Sequence, residues 1–415
     1  MGVCTACTHF FMPETEEFKV AYTLMDALPI DEDELRYELG RVAGDPAKLD
    51  QVWQRLATGG FPRRSTDGQA YVFAVRYRDL QAATTQELPP LDEQIKSGLH
   101  LHINRLTDKL KYELGMMNHV PGTDIWTLRV AVSQHYQGSY GFQLSHGQRT
   151  PALCDPHARR TLWIEDGFGF SEISTSPAVS DTRMALRKTH CAGINLRVYV
   201  PENASRVGLL TLFDGDKWCK TNLDAHISAL NEDAKLPIAL VLVCNDSNAQ
   251  RVQRLGLDEE FLYAVCTQVQ AHVGKLLAEI GVELVAEQNV LAGQSLGGLA
   301  ALYIAQKFPQ TFSELIAQSP SLWWKPDKSA VPTDNNLQNT SWITEQFSRQ
   351  PVMPRLRIDV GAREDVGVAK VHLLARKLSD CAWPHQLAVY EGGHDYVAWR
   401  AQLVEHLRGI FSNRA

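Results

Sequence analysis

Leu291-Ala292-Gly293-Gln294-Ser295-Leu296-Gly297-Gly298 sets a serine in the pattern G-x-S-x-G, after an apolar strand-like run and before a helical stretch. That context is what a nucleophile elbow requires: a serine on a strained strand-to-helix turn, its hydroxyl raised above a sheet, with flanking glycines letting strand and helix approach. The backbone N–H of Leu296 would then open the helix N-terminus, where a developing oxyanion is stabilised. A glycine-rich turn without chemistry gives the same pentapeptide, so the reading depends on what surrounds it.

Around this stretch, apolar runs expected as strands fall at 195–200, 207–213, 237–244, 289–292, 315–318, 356–360 and 386–390, with helical patterns at 261–280, 297–308 and 366–378 between them. Continuous apolar strands alternating with helices predict a mostly parallel sheet covered on both faces, an α/β-hydrolase domain over 185–415. In such a domain the acid and then the histidine follow the serine in chain order. Gly361-Ala362-Arg363-Glu364-Asp365 follows one expected strand and Glu391-Gly392-Gly393-His394-Asp395 follows the last. Strand C-terminal ends are where the functional groups of a parallel sheet converge. His394 is the candidate base, against the alternative of a surface loop histidine; Glu364 and Asp365 compete as the acid that fixes its tautomer. Phe213-Asp214-Gly215-Asp216-Lys217-Trp218 also ends an apolar run. Gly215 or Asp216 is the candidate second oxyanion donor, a plain β-turn being the alternative.

The first half reads differently. A helical pattern over 31–60 is broken by Gly44 and Pro46, and from 61 to 144 the apolar period becomes two, through Tyr71, Phe73 and Val75, Leu101 and Ile103, Trp126, Leu128 and Val130, and Tyr140 and Phe142. Short strands without intervening helices predict a β-sandwich. The expected organisation is a helical segment plus β-sandwich over 1–150, a proline-containing linker over 151–184, and the α/β domain beyond.

The 415 residues suit two domains, and 44% hydrophobic content suits large cores. A net charge of −7 speaks against nucleic-acid binding, which needs a broad basic face. No run approaches the roughly 20 apolar residues of a membrane span, and the first residues lack the basic start and apolar run of a signal peptide. Eight scattered cysteines, several in apolar runs, suggest a reduced, cytoplasmic protein. Cys4-x-x-Cys7-x-His9 lacks the second pair a zinc site needs, and His100-x-His102 reads as a polar strand face. No metal, nucleotide or other cofactor is expected.

With these pieces in place the chain resembles the enterobactin (enterochelin) esterases, from about residue 50 to its end. The resemblance rests on FDGDKW (213–218), LAGQSLGGLAALY (291–303), QSPSLWW (318–324), GARE (361–364) and EGGHDYVAWR (391–400), with PGTDIWTL (121–128) and QGSYGF (137–142) in the first domain. It implies Ser295 as nucleophile, His394 as base and, from the pattern G-x-R-E, Glu364 over Asp365 as acid. It further implies a cytoplasmic enzyme that cuts the esters of a ferric catecholate siderophore, with iron entering only as part of the substrate. Such a ligand is a bulky aromatic anion. Arginines supply planar charged donors and tryptophans flat walls, which singles out Arg251, Arg254, Arg363 and Arg400 with Trp218, Trp323, Trp324 and Trp399. The first domain is expected to wall part of the cleft. One departure stands out: the family's Arg-x-x-Glu-Leu is here Arg251-Val252-Gln253-Arg254-Leu255, so either Arg254 points elsewhere or the preferred siderophore differs. A feruloyl-type carboxylic esterase and a non-catalytic siderophore binder are the competing readings.

Overall fold

The computed structural model describes residues 28–144, 151–165, 168–173, 179, 181–338 and 341–412; Cys4, Cys7 and His9 lie outside the described residues. Two helices come first, Glu32–Arg41 and Pro46–Thr58. Asp31 caps the first by accepting N–H bonds from Asp33 and Glu34. Asp45 caps the second just ahead of Pro46, a residue whose missing N–H costs little at a helix start.

Eight strands follow: β1 (Arg63–Arg64), β2 (Ala70–Arg76), β3 (His100–Ile103), β4 (Asn118–His119), β5 (Ile125–Ala131), β6 (Gly138–Gln143), β7 (Thr161–Glu165) and β8 (Phe168–Ile173). They form two antiparallel sheets in the orders β1-β2-β5-β4 and β3-β6-β8-β7. Phe73, Trp126 and Leu128 from one sheet meet Leu101, Tyr140 and Phe142 from the other in a single core. The two helices cover the opposite face of the first sheet, packing Leu35, Leu39 and Trp53 on Val72, Ala74 and Ile125. This explains why β2 is buried at every position instead of alternating.

The segment 151–184, expected as a linker, carries β7 and β8, and β8 pairs with β6 inside the sandwich. The sequence signal was Asp166-Gly167 between two short β-prone runs, a hairpin signature that the neighbouring prolines obscured.

The second domain is built on β9 (Met184–Cys191), β10 (Ile194–Pro201), β11 (Arg206–Leu212), β12 (Ile238–Cys244), β13 (Glu283–Gln294), β14 (Glu314–Gln318), β15 (Arg355–Gly361) and β16 (His385–Tyr390). Their order is β16-β15-β14-β13-β11-β12-β10-β9. From β11 to β16 every pairing is parallel, and β10 and β9 extend the sheet antiparallel. Alternate residues of the apolar strands serve opposite faces. Leu209, Val241 and Leu291 pack under the helices Leu296–Lys307 and Val366–Asp380. Leu210, Leu240 and Ala292 pack under Leu223–Asp233 and Tyr396–Phe411. Strand β9 escaped the sequence reading because it is an edge strand with mostly exposed residues and no apolar alternation. Among the described residues no helix is long and apolar enough to cross a membrane.

The sandwich docks on the end of the second domain. Gln137 N–H donates to Glu391 O (3.2 Å) and the Ser139 hydroxyl donates to the Asp395 carboxylate. Arg400, expected in the substrate cleft, is instead buried in this interface. It pairs with both carboxylate oxygens of Glu172 on β8 (3.0 and 2.7 Å) and donates to the Thr221 carbonyl. Removing one partner of a buried pair strands the other charge, at about 3–5 kcal/mol. Arg400→Ala is therefore expected to lower the denaturation midpoint markedly and to depress turnover of small neutral and large anionic esters alike. A change confined to KM for the anionic ester would restore Arg400 to the cleft.

Candidate active site

Strand β13 runs straight into the helix Leu296–Lys307 through Ser295, whose backbone sits at φ 55°, ψ −114°. A non-glycine residue there is strained by roughly 1–3 kcal/mol and persists only when its surroundings fix it. They do: Ser295 N–H donates to Gln318 O (3.0 Å), and its carbonyl accepts from Ser321 N–H (2.9 Å) and Leu299 N–H (3.0 Å). The turn closes so tightly that a Cβ on Gly293 would lie 2.2 Å from the Gly297 carbonyl oxygen. The Ser295 hydroxyl rests 3.2 Å from that of Ser321.

The loops after β15 and β16 supply the partners. Glu364 Oε2 lies 2.6 Å from His394 Nδ1. A carboxylate can only accept, so Nδ1 carries the proton and a neutral ring presents Nε2 as its basic nitrogen. Glu364 Oε1 accepts from the Ser319 hydroxyl (2.6 Å) and the Gly361 N–H (3.0 Å). Burial of Glu364 opposes ionisation, but the adjacent His394 imidazole and these hydrogen bonds outweigh it and hold the pKa below its ordinary value of 4.5. Trp399 meets the imidazole edge-to-face at 4.7 Å and donates its indole N–H to Ser319 Oγ (2.9 Å). Asp365 has an exposed side chain and starts the following helix, away from His394.

Ser295, Leu296, Glu364 and His394 line one cavity of about 800 Å³. Trp323, Trp324 and Arg251 line it too. Arg251, however, closes its fork on buried Asp214, with two bonds of 2.7 Å, and so braces the loop after β11. The other singled-out residues lie elsewhere. Arg254 donates to Gly193 O (2.7 Å) in the β9–β10 turn and stacks over Phe261, so the departure from the family pattern sits outside the cavity. Arg363 fastens its loop through a backbone bond to Gly392 O (3.1 Å). Trp218 is a core residue bonded to Gln294 (2.8 Å), and Trp399 serves the histidine and serine as described. Gly215 packs on β12, where a Cβ would meet Leu242 at 2.7 Å, and Asp216 accepts from Asn245 N–H (3.2 Å). Neither lines the cavity.

Sequence reading missed Ser319, Ser321, Asn104 and Arg105. Asn104 accepts the His394 backbone N–H (3.2 Å), and Arg105 reaches the cavity from the sandwich. Ser319 and Ser321 lie in the quoted QSPSLWW stretch and could have been weighed. Nothing local marks the other two.

An eight-stranded α/β sheet, an elbow serine and a histidine–carboxylate pair define a hydrolase of the α/β type. The chain belongs to the enterochelin (enterobactin) esterase family: the Esterase family model matches residues 191–410, and the model for the enterochelin esterase N-terminal domain matches 91–179. The iron(III) salmochelin esterase of Escherichia coli O6:H1 is 30% identical, over 74% of this chain and 83% of that protein. The iron(III) enterobactin esterase of Dickeya dadantii is 25% identical, over 87% of this chain and 92% of its own. In fold, the enterobactin esterase of Shigella flexneri, crystallised in the presence of 2,3-dihydroxy-N-benzoyl-serine, superimposes with a TM-score of 0.66 at 20% identity, covering 87% of this chain and 97% of that one.

Glu364→Gln is expected to lower kcat by about 10⁴-fold, the order seen when a triad carboxylate is neutralised, whereas Asp365→Asn should stay near wild type. The depressed pKa of Glu364 adds a second readout. Its ionised form contributes stability above pH 4.5, and that contribution is lost as pH falls through the folded value. The stability gap between wild type and Glu364→Gln in urea titrations should therefore narrow below pH 4.5. A gap constant with pH would mean that the carboxylate is not held ionised by its neighbours.

Proposed function

We propose that this chain hydrolyses the ester bonds of a ferric catecholate siderophore of the enterobactin type and thereby frees iron in the cytoplasm. One observation carries the catalytic part: His394 bonded to Glu364 at 2.6 Å, in a cavity shared with Ser295. Ser295 attacks the ester carbonyl, His394 Nε2 takes its proton and returns it to the departing alkoxide, and a water then repeats the exchange on the acyl-enzyme. Glu364 keeps the ring in the required tautomer and offsets the imidazolium charge. Before substrate enters, the serine hydroxyl rests on Ser321; loose geometry of this kind is common in empty hydrolase sites. Leu296 N–H, at the helix N-terminus, is the first oxyanion donor. The loop after β11 abuts the elbow, where a Cβ on Gly297 would lie 3.3 Å from Phe213. Gly215 and Asp216 do not line the cavity, however, so Leu296 N–H is the donor on which the reading relies.

The substrate class is supported by the names of the curated relatives, iron(III) salmochelin and enterobactin esterases, and by a cavity that combines Trp323 and Trp324 with arginine. The cytoplasmic assignment is supported by the cysteines, all free among the described residues. Iron enters only as part of the substrate, and the reaction invokes no resident cofactor, nucleic acid or membrane.

Mass spectrometry of products from a panel of ferric catecholate siderophores tests this reading, with linear and monomeric fragments expected from wild type. Ser295→Ala should lose about 10⁶-fold in kcat, as loss of the serine from a cooperative relay does, while still binding the ferric complex. A purified variant keeping more than about a tenth of wild-type turnover would remove Ser295 from its role.

A further inference from the structure

The cation that reaches the catalytic cavity from the N-terminal sandwich is Arg105, and its setting differs from that of the other arginines. It follows β3 with its backbone at φ 64°, in the left-handed region. Its N–H donates to Asp108 (2.9 Å) and its carbonyl accepts from Lys111 (3.4 Å), so the turn is fixed from both sides. The side-chain stem lies against the histidine loop, where a Cβ on Gly393 would sit 3.2 Å from both Cβ and Cγ of Arg105. From there the side chain lines the cavity with Ser295 and His394. Its Nε is buried and has no hydrogen-bond partner among the described residues.

Arg251 and Arg400 spend their donors on Asp214 and Glu172. Arg105 does not. A buried charged donor without an acceptor is costly, and in a cavity it is completed by water or by a ligand that displaces the water. The planar guanidinium fork matches an anionic oxygen pair better than a neutral carbonyl.

We propose that Arg105 is a specificity-determining residue that selects anionic esters by binding a negatively charged oxygen of the substrate beside the reacting carbonyl. This rests on the catalytic reading of Ser295 and His394. Two sources supply that oxygen: a carboxylate released by an earlier ester cut, or a phenolate of a metal-bound catechol. Recognition of the carboxylate would make ring-opened products substrates for further rounds.

The test compares mono-p-nitrophenyl succinate with p-nitrophenyl butyrate, so that it reports on the cavity whether or not a siderophore is cleaved. In Arg105→Gln the ratio of kcat/KM for the charged over the neutral ester should fall about tenfold, through KM, and Arg105→Lys should recover part of it. Lys328, exposed on the cavity rim, is the comparator. An unchanged ratio in Arg105→Gln, or a fall in Lys328→Gln instead, overturns the proposal. With a cyclic ferric catecholate triester and its linear form, a penalty on the linear form alone identifies the carboxylate, and an equal penalty the phenolate. Failure to cut either, with the model-ester ratio shifted as expected, would overturn the siderophore reading and leave Arg105 in place.

Discussion

The Glu364–His394 hydrogen bond depends on a loop that is gripped from two sides. Residues 391–395 pass between the end of β15 and the turn after β3. On one side a Cβ on Gly361 would lie 2.6 Å from Gly392 O; on the other a Cβ on Gly393 would lie 2.9 Å from Asn104 O. Only glycine permits backbone to approach backbone so closely. The histidine is thus held by two domains, with its N–H on Asn104 and its imidazole on Glu364. Gln137 and Ser139 fasten the ends of the same loop. The sandwich therefore acts as part of the catalytic framework as well as a wall of the cleft.

That arrangement also explains the use of charge. Each structural arginine reaches along the chain to an acid or a carbonyl: Arg400 to Glu172 and Thr221 across the domain interface, Arg251 to Asp214 beneath the loop after β11, Arg254 to the β9–β10 turn. Such pairs orient elements more than they stabilise them, since desolvating both ions consumes much of their attraction. The departure from the family pattern at Arg254 lies outside the cavity lining, with its guanidinium engaged by the Gly193 carbonyl.

Local patterns in the chain determined a good deal. Apolar runs such as LVLVC and LLTLF, buried on both faces by helices, declared the parallel sheet, and G-x-S-x-G between strand and helix declared the elbow. Chain order placed His394 after a candidate acid but left Glu364 and Asp365 open; the resemblance to the family, through G-x-R-E, implied Glu364. The sheet and the elbow are legible because each depends on residues within a few positions of one another. The edge strand β9 was less so, because its residues are mostly exposed, and so was the hairpin β7–β8, because prolines flank it in the sequence.

Tertiary structure alone decided what each long polar side chain touches. The sequence offers Arg251, Arg254, Arg363 and Arg400 as equals, yet the partner of Arg400 lies 228 residues away, on a strand read as linker. An arginine is the same residue whether it braces a core carboxylate or faces a ligand; only the neighbours that folding assembles distinguish the two. Arg105 and Asn104 carry no motif, and they matter because docking sets the turn after β3 against the histidine loop. Local periodicity encodes the sheet and the elbow, whereas the polar environment of the cavity is a product of contacts between residues that the chain keeps far apart.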